Sequence, residues 1–406
     1  MCSPTSIALV GIGGYGSMCL SALLDGPHER SCSLVATVDP NPAGCARRPE
    51  LQALGVPHYD DLATLYRNHS VDLTVLVSPI QLHAEQTILA LSHGSHVLCE
   101  KPAAATVQDV DRMIDAEVRS GHSVAIGFQW SFTSPIRQLK KDILRGDFGK
   151  PLRFKSLCLW PRDESYYSRN DWAGRLRDDQ GRWVLDSPVN NAMAHDLHNM
   201  LFLLGDAPTT SAHPVEVIAE AYRANPIENA DTVAARVKTR DGGKILFFGS
   251  HAVPNDYGPV FTLEFADAEI VYDADHASLT AHFKNSTTRT YAAPDSTPHE
   301  QKLWSCVASI ADAQPMACGL AAARSHTLCV NGIQDSVGTI VDLPGDMIRS
   351  SGPPGNRLAS SSELAVLLKA CFRADALPSE LGASWAHGGR SIDLRRYHRY
   401  PGASPE

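Results

Sequence analysis

The chain has 406 residues, too many for one compact core and enough for about two or three domains. Hydrophobic residues make up 43% and charged residues 20%, a globular balance that excludes wholesale disorder. With 36 Lys plus Arg against 45 Asp plus Glu, the net charge of −9 argues against nucleic acid or an anionic membrane surface as a partner. No apolar run approaches the roughly 18 residues that span a bilayer. No basic segment precedes an apolar stretch at the N-terminus, because residues 6–10 already read as a strand. The ten cysteines, Cys2 among them, form no Cys-x-x-Cys pair and several sit inside apolar elements. They read as reduced core residues, and the expected compartment is cytoplasmic.

Residues 6–12 are a continuous apolar run of strand length, and 17–24 carry helical spacing directly after a glycine cluster. A second apolar strand at 34–38 ends in the turn signal Asp39-Pro40-Asn41-Pro42. Short helical patterns at 51–54 and 62–66 lead to a strand at 71–77 and a helix at 83–92 closed by Gly94. A strand at 95–99 then runs into Glu100-Lys101-Pro102. Thr106-x-x-Asp109 starts a helix to Arg119, and 122–127 is a further buried strand. This alternation predicts a doubly wound parallel sheet, a Rossmann domain over residues 1–127.

After residue 128 the pattern changes. A helix at 134–145, a strand at 152–160, a polar loop rich in aromatics and a helix at 192–204 come first. Strand-like runs follow at 215–223, 232–239, 244–253, 260–265, 269–272, 278–283 and 288–291, with an Asp241-Gly242 hairpin signal between two of them. Residues 304–311 and 321–335 return to helix, 344–357 read as a loop, and 364–372 as a last helix. The prediction for residues 128–406 is an α+β domain with a mainly antiparallel sheet. In the run 244–253, Ile245, Leu246, Phe247 and Phe248 leave no polar face, so both faces need cover. A sheet with one bare face would obtain that cover in a homodimer or homotetramer.

Gly11-Ile12-Gly13-Gly14-Tyr15-Gly16 fits G-x-G-x-x-G, with a strand before it, a helix after it and Asp39 ending the next strand. The glycines allow a tight turn, approach of backbone amides to a pyrophosphate and close helix packing. Asp39 is placed to accept from ribose hydroxyls and to repel a 2′-phosphate, which favours NAD. Arg47 or Arg48 could reach a 2′-phosphate, which keeps NADP open. Lys101 ends a parallel strand at the ligand edge, where it can polarise or protonate a carbonyl, although a strand-end Glu-Lys is also a common surface pair. His195 and His198, three apart, lie on one helix face. With no third ligand nearby, one acid/base histidine is expected and no metal. Tyr166, Arg169 and Trp172 in the aromatic loop suit either a polyhydroxylated ligand or an interface.

The order of Gly11 to Gly16, Asp39, Ser78-Pro79-x-x-x-His83, Glu100-Lys101-Pro102, and His195 ten residues before Gly205 resembles the Gfo/Idh/MocA oxidoreductases over nearly the whole chain. That is the glucose–fructose oxidoreductase, inositol dehydrogenase and rhizopine-catabolism family. The resemblance implies a nicotinamide-dependent dehydrogenase of a ring hydroxyl on a sugar, glycoside or cyclitol. It also implies an open-faced sheet used for oligomer contacts and a substrate cleft between domains. By the same resemblance Ser78, Pro79, His83 and Glu100 line the dinucleotide site, Lys101 meets the reacting carbinol, and His195 is the acid/base. Where family members usually carry an aspartate four residues before the histidine, this chain has Asn191. Where another follows three residues after, it has His198. Asn191 and His198 are expected to line the cleft with His195. The rival readings are an NAD-recycling enzyme that cleaves glycosides by oxidation and elimination, and a non-catalytic sugar-responsive regulator.

Overall fold

The structure, a computed structural model, describes residues 4–26 and 32–402; Cys2 lies outside them. The chain begins β1 (Thr5–Val10), α1 (Gly16–Asp25), β2 (Cys32–Val38), α2 (Arg48–Ala53), β3 (His58–Tyr59) and α3 (Leu62–Asn68). It continues β4 (Leu73–Leu76), α4 (His83–Ser92), β5 (His96–Cys99), α5 (Val107–Ser120) and β6 (Val124–Ile126). Next come α6 (Ser134–Leu144), β7 (Pro151–Leu159), α7 (Glu164–Ser168), α8 (Ala194–Leu203), β8 (Pro214–Arg223), β9 (Thr232–Thr239) and β10 (Lys244–Ser250). Then β11 (Tyr257–Phe265), β12 (Ala268–Asp273), β13 (Ser278–Phe283), β14 (Thr288–Tyr291), α9 (Gln301–Ala311) and α10 (Leu320–Val337). The last elements are β15 (Val341–Asp342), β16 (Arg349–Ser351), β17 (Leu358–Ser360), α11 (Ser362–Ala374) and β18 (Ile392–Asp393).

Two compact units result. The first takes Met1–Ala104, Asp109–Phe132 and Pro298–Arg324; the second takes Ala105–Gln108, Thr133–Thr297 and Ser325–Glu406. The first unit carries six parallel strands in the order β3-β2-β1-β4-β5-β6. Ile7, Leu9, Leu73, Val97 and Val124 are buried, as strands covered on both faces require. The strand order reverses beside β1, the position where doubly wound sheets bind ligands at their carboxyl edge. At two residues β3 is too short to show a hydrophobic period in the sequence.

The first unit does not end at residue 127. The chain comes back to it at Pro298–Arg324, where the Ile126 amide donates to the Cys318 carbonyl at 2.8 Å and α9 packs against β5. A strand-and-helix pattern read locally carries no sign of that return.

In the second unit the main sheet runs β14-β13-β12-β11-β7-β10-β9-β8-β15, with β18 beside β8. Most pairs are antiparallel, but β7 inserts between β10 and β11 and runs parallel to β10, from Arg153↔Lys244 to Leu159↔Ser250. Leu246 and Phe248 join a core with Leu157, Tyr222 and, from α11, Leu364, Leu368 and Cys371. On the opposite face Ile245 and Phe247 are buried, and α8 packs on β7 and β10. The cover expected from a second copy at 244–253 is therefore supplied by the chain's own helices. At β12 to β14 the alternation returns: Ile270, Tyr272 and Leu279 are buried, whereas Glu269, His282 and Thr288 are exposed. β16, inside the expected loop 344–357, pairs with β17 just beyond it as a short hairpin.

Candidate active site

At the carboxyl edge of the first sheet, Gly11 leaves β1 with φ +84°, and a Cβ on it would lie 2.8 Å from the Val77 carbonyl oxygen. At Gly16 a Cβ would fall 2.0 Å from the Gly11 carbonyl oxygen, so α1 starts hard against the loop only because that residue is glycine. A Cβ on Gly13 would meet nothing within 4 Å, which leaves open space at the N-terminus of α1 where a pyrophosphate fits. Asp39 accepts from the Ile12 amide at 3.0 Å through one oxygen and from the Asn41 amide at 2.8 Å through the other. Lone pairs remain on both oxygens for a ribose diol. Arg47 is paired with Asp25 and Glu50, whereas Arg48 is exposed. These residues fit a dinucleotide.

Ser78 and Pro79 follow β4, and the Ser78 hydroxyl donates to Gln86. His83 is buried beneath them. Its ring nitrogens lie 2.8 Å from the Ser78 and Pro102 carbonyl oxygens, so it ties the two edge loops together. Burial lowers its pKa in spite of those contacts.

Glu100 forms an ion pair with Lys302 of α9, a lysine that is 1% exposed. Lys302 also donates to the Tyr15 hydroxyl at 2.9 Å. Burial opposes the lysine's charge, but Glu100 and Tyr15 outweigh it and the pKa stands above the ordinary value. Burial, and then Glu100, pushes the Tyr15 phenol up to about 12. The Lys101 amide donates to Glu100 at 3.3 Å, which leaves Lys101 half-buried directly beside this cluster. Lys302 carried no motif in the sequence. Nothing but the fold brings position 302 to position 100.

In the second unit His195 sits half-buried in the first turn of α8. His198 does not share that setting. It is 1% exposed and stacks on Phe202, and burial, with His326 and Lys140, drives its pKa well below the ordinary value. Expected in the cleft, His198 is instead enclosed among Phe202, His326 and Lys140. Asn191 lies in the turn before α8, and its amide donates to the Asp186 carboxylate at 2.8 Å. The other Asp186 oxygen accepts from the Gly174 amide at 2.6 Å. The negative charge missing at position 191 thus stands one hydrogen bond behind it, on a residue no spacing rule selects. Beside His195, Asp196 is buried with one oxygen lacking a hydrogen-bond partner. Burial, and then Asp295, pushes its pKa up to about 7.

The aromatic loop does gather its three expected residues. The Arg169 guanidinium lies 3.6 Å from the Tyr166 ring centre and 5.3 Å from that of Trp172. Arg162 lies 5.2 Å from the Tyr166 ring centre as well, and His251 packs against the same ring. Arg162 and His251 were not singled out by the sequence pattern, since a lone arginine and a strand-end histidine carry no period.

Comparison with known proteins gives the arrangement a family. The model of the oxidoreductase family with NAD-binding Rossmann fold matches residues 5–128, and that of the Gfo/Idh/MocA C-terminal domain matches residues 136–272. A 1-carboxy-3-chloro-3,4-dihydroxycyclohexa-1,5-diene dehydrogenase of Comamonas testosteroni is 32% identical over 145 residues, 36% of this chain and 35% of that protein. An inositol 2-dehydrogenase of Klebsiella pneumoniae is 27% identical over 208 residues, 49% of this chain and 54% of that protein. The chain thus spans from about a third to about half the length of these curated relatives. A levoglucosan dehydrogenase solved with NADH superposes with TM-score 0.69 at 17% identity, over 88% of this chain and 99% of that one, a likeness of fold. The chain belongs to the Gfo/Idh/MocA oxidoreductase family.

Proposed function

We propose that this protein is an NAD(H)-dependent dehydrogenase that oxidises a ring hydroxyl of a sugar, glycoside or cyclitol, or reduces the corresponding ketone. The observation that carries the reading is the convergence of the glycine loop, Asp39, Ser78 and Lys101 at the carboxyl ends of β1, β2, β4 and β5. When bound, the nicotinamide supplies the hydride acceptor. Lys101 then hydrogen-bonds the reacting oxygen and stabilises its developing negative charge, while His195 accepts the hydroxyl proton. Glu100, neutralised by Lys302, holds the edge of the site beside the nicotinamide ribose. Tyr166, Arg169 and Trp172 supply stacking and donor groups to the substrate.

The test is a panel of sugars and cyclitols with NAD, followed by absorbance of NADH. Lys101→Met should lower kcat roughly 10²- to 10⁴-fold and leave NAD affinity almost intact. Release of a leaving group without net NADH identifies the eliminating variant instead. Absence of both, with NAD bound, assigns the chain to regulation. A cytoplasmic setting is supported by nine free cysteines among the described residues, eight of them buried. No helix among those residues is long and apolar enough to cross a membrane. The homodimer or homotetramer is supported by the family resemblance, and light scattering at micromolar concentration reads it.

A further inference from the structure

The second unit holds a cleft of about 650 Å³ between the start of α7 and the β16–β17 hairpin, a size suited to a small ligand. Arg162, Arg169 and Tyr166 line one side, and Ser351, Gly352 and Asn356 the other. The hairpin wall is pinned, since the Glu164 carboxylate accepts from the Gly355 amide at 2.8 Å and from the Arg357 amide at 3.3 Å.

The charge of this cleft is out of keeping with a chain of net charge −9. Several buried or half-buried arginines of the unit are matched: Arg153 with Glu264 and Asp375, Arg236 with Glu380. Arg162 and Arg169 have no carboxylate within ion-pair distance among the described residues. Arg162 donates to the Pro161 carbonyl, and Arg169 to the Tyr166 carbonyl and the Tyr166 side chain. The one acidic residue of the lining, Asp163, is engaged at the N-cap of α7, accepting from the Ser165 hydroxyl at 2.6 Å and the Tyr166 amide at 3.2 Å. The Arg169 guanidinium, 3.6 Å from the Tyr166 ring centre, is held against that ring at the cleft wall. His251, behind Tyr166, stays neutral: burial takes its pKa down to about 3, and both arginines add to the shift.

We propose that this cleft receives an anionic group, a carboxylate or a phosphate, carried by the substrate. The proposal rests on the dehydrogenase reading and narrows its substrates to sugar acids and sugar phosphates. The site is linked by contacts to the turn before α8: Tyr166 packs on Tyr167, and a Cβ on Gly174 would lie 3.2 Å from the Tyr167 ring. The Gly174 amide donates to Asp186, and Asp186 also accepts from Asn191. A planar guanidinium pair without a counter-ion is the arrangement that recognises such oxyanions by charge-assisted hydrogen bonds.

The NAD-loaded protein, titrated calorimetrically with D-glucuronate, D-glucose 6-phosphate and D-glucose, tests this. At least one anion should bind roughly tenfold or more tightly than glucose, and the preferred anion identifies carboxylate or phosphate as the source. Arg162→Met should weaken that anion roughly ten- to hundredfold and leave glucose unchanged, and Arg169→Met should weaken the anion more than glucose. Added salt should weaken the anion alone. Glucose binding as tightly as both anions, equal losses for all three ligands, or no anion binding at millimolar concentration overturns the proposal. Arginine-dependent anion binding with no sugar able to reduce NAD supports the cleft and removes the dehydrogenase reading. NADH formed from a sugar acid or sugar phosphate with unchanged kcat/KM in Arg162→Met does the reverse.

Discussion

Asp39 acts on both the loop and the cofactor choice, since its two oxygens hold Ile12 and Asn41 while its charge faces the ribose position. NAD is expected to bind more tightly than NADP, and Asp39→Ala to narrow the gap by weakening NAD about tenfold or more. Fluorescence titration with both dinucleotides checks this, and a wild type that prefers NADP sinks it. Asp196 makes a different demand. Its folded pKa of about 7 lies above the ordinary 3.8, so the folded state holds the proton more tightly than the unfolded one. That contribution is fully present below pH 3.8 and is lost as pH rises to about 7, reaching about 4 kcal/mol by linkage. Asp196→Asn, always neutral, should match the wild type in thermal melts at acid pH and melt higher at pH near 8. Equal melting temperatures across that range would exclude the buried acid from the balance.

At the scale of elements, α9 matters through one side chain. Lys302 supplies the counter-charge for Glu100, and removing one partner of a buried pair costs roughly 3 to 5 kcal/mol. Lys302→Met leaves a buried carboxylate whose pKa must rise. A raised carboxylate pKa makes stability greatest at low pH and smaller as pH climbs, so the deficit against wild type should be larger at pH 8 than at pH 5. The double variant Lys302→Met with Glu100→Gln should abolish that pH dependence in thermal melts. Persistence of the dependence places its origin elsewhere. Helix α11 teaches a complementary lesson about β10. The run Ile245 to Phe248 correctly announced a strand covered on both faces, but its cover comes from α8 and α11 within the chain. Apolar runs report that a face is buried, not what buries it.

At the scale of the whole molecule, the first unit is discontinuous. Pro298–Arg324 completes it with Lys302 and with the Cys318 carbonyl that accepts from Ile126. A fragment ending at residue 127 carries the full glycine motif, Asp39 and Lys101, yet is expected to fold poorly and to bind NAD weakly. Circular dichroism and calorimetry on that fragment decide it; a fragment that melts cooperatively and binds NAD like the full chain shows the return to be dispensable.

The sequence by itself determined what local physics controls. Helical and strand periods, glycines at forced backbone positions and turn residues placed nearly every element, the parallel sheet and its dinucleotide edge, because those signals lie within a few residues of one another. Asp39, Lys101 and His195 stand out as candidates because each sits at a fixed offset from such an element. Tertiary structure alone decided the rest. Glu100 meets Lys302 from far along the chain. β7 enters between β10 and β11, and His198 is buried while Asp186 stands behind Asn191. Long-range pairing is set by which surfaces the folded chain brings together, and no period or spacing along the chain encodes that.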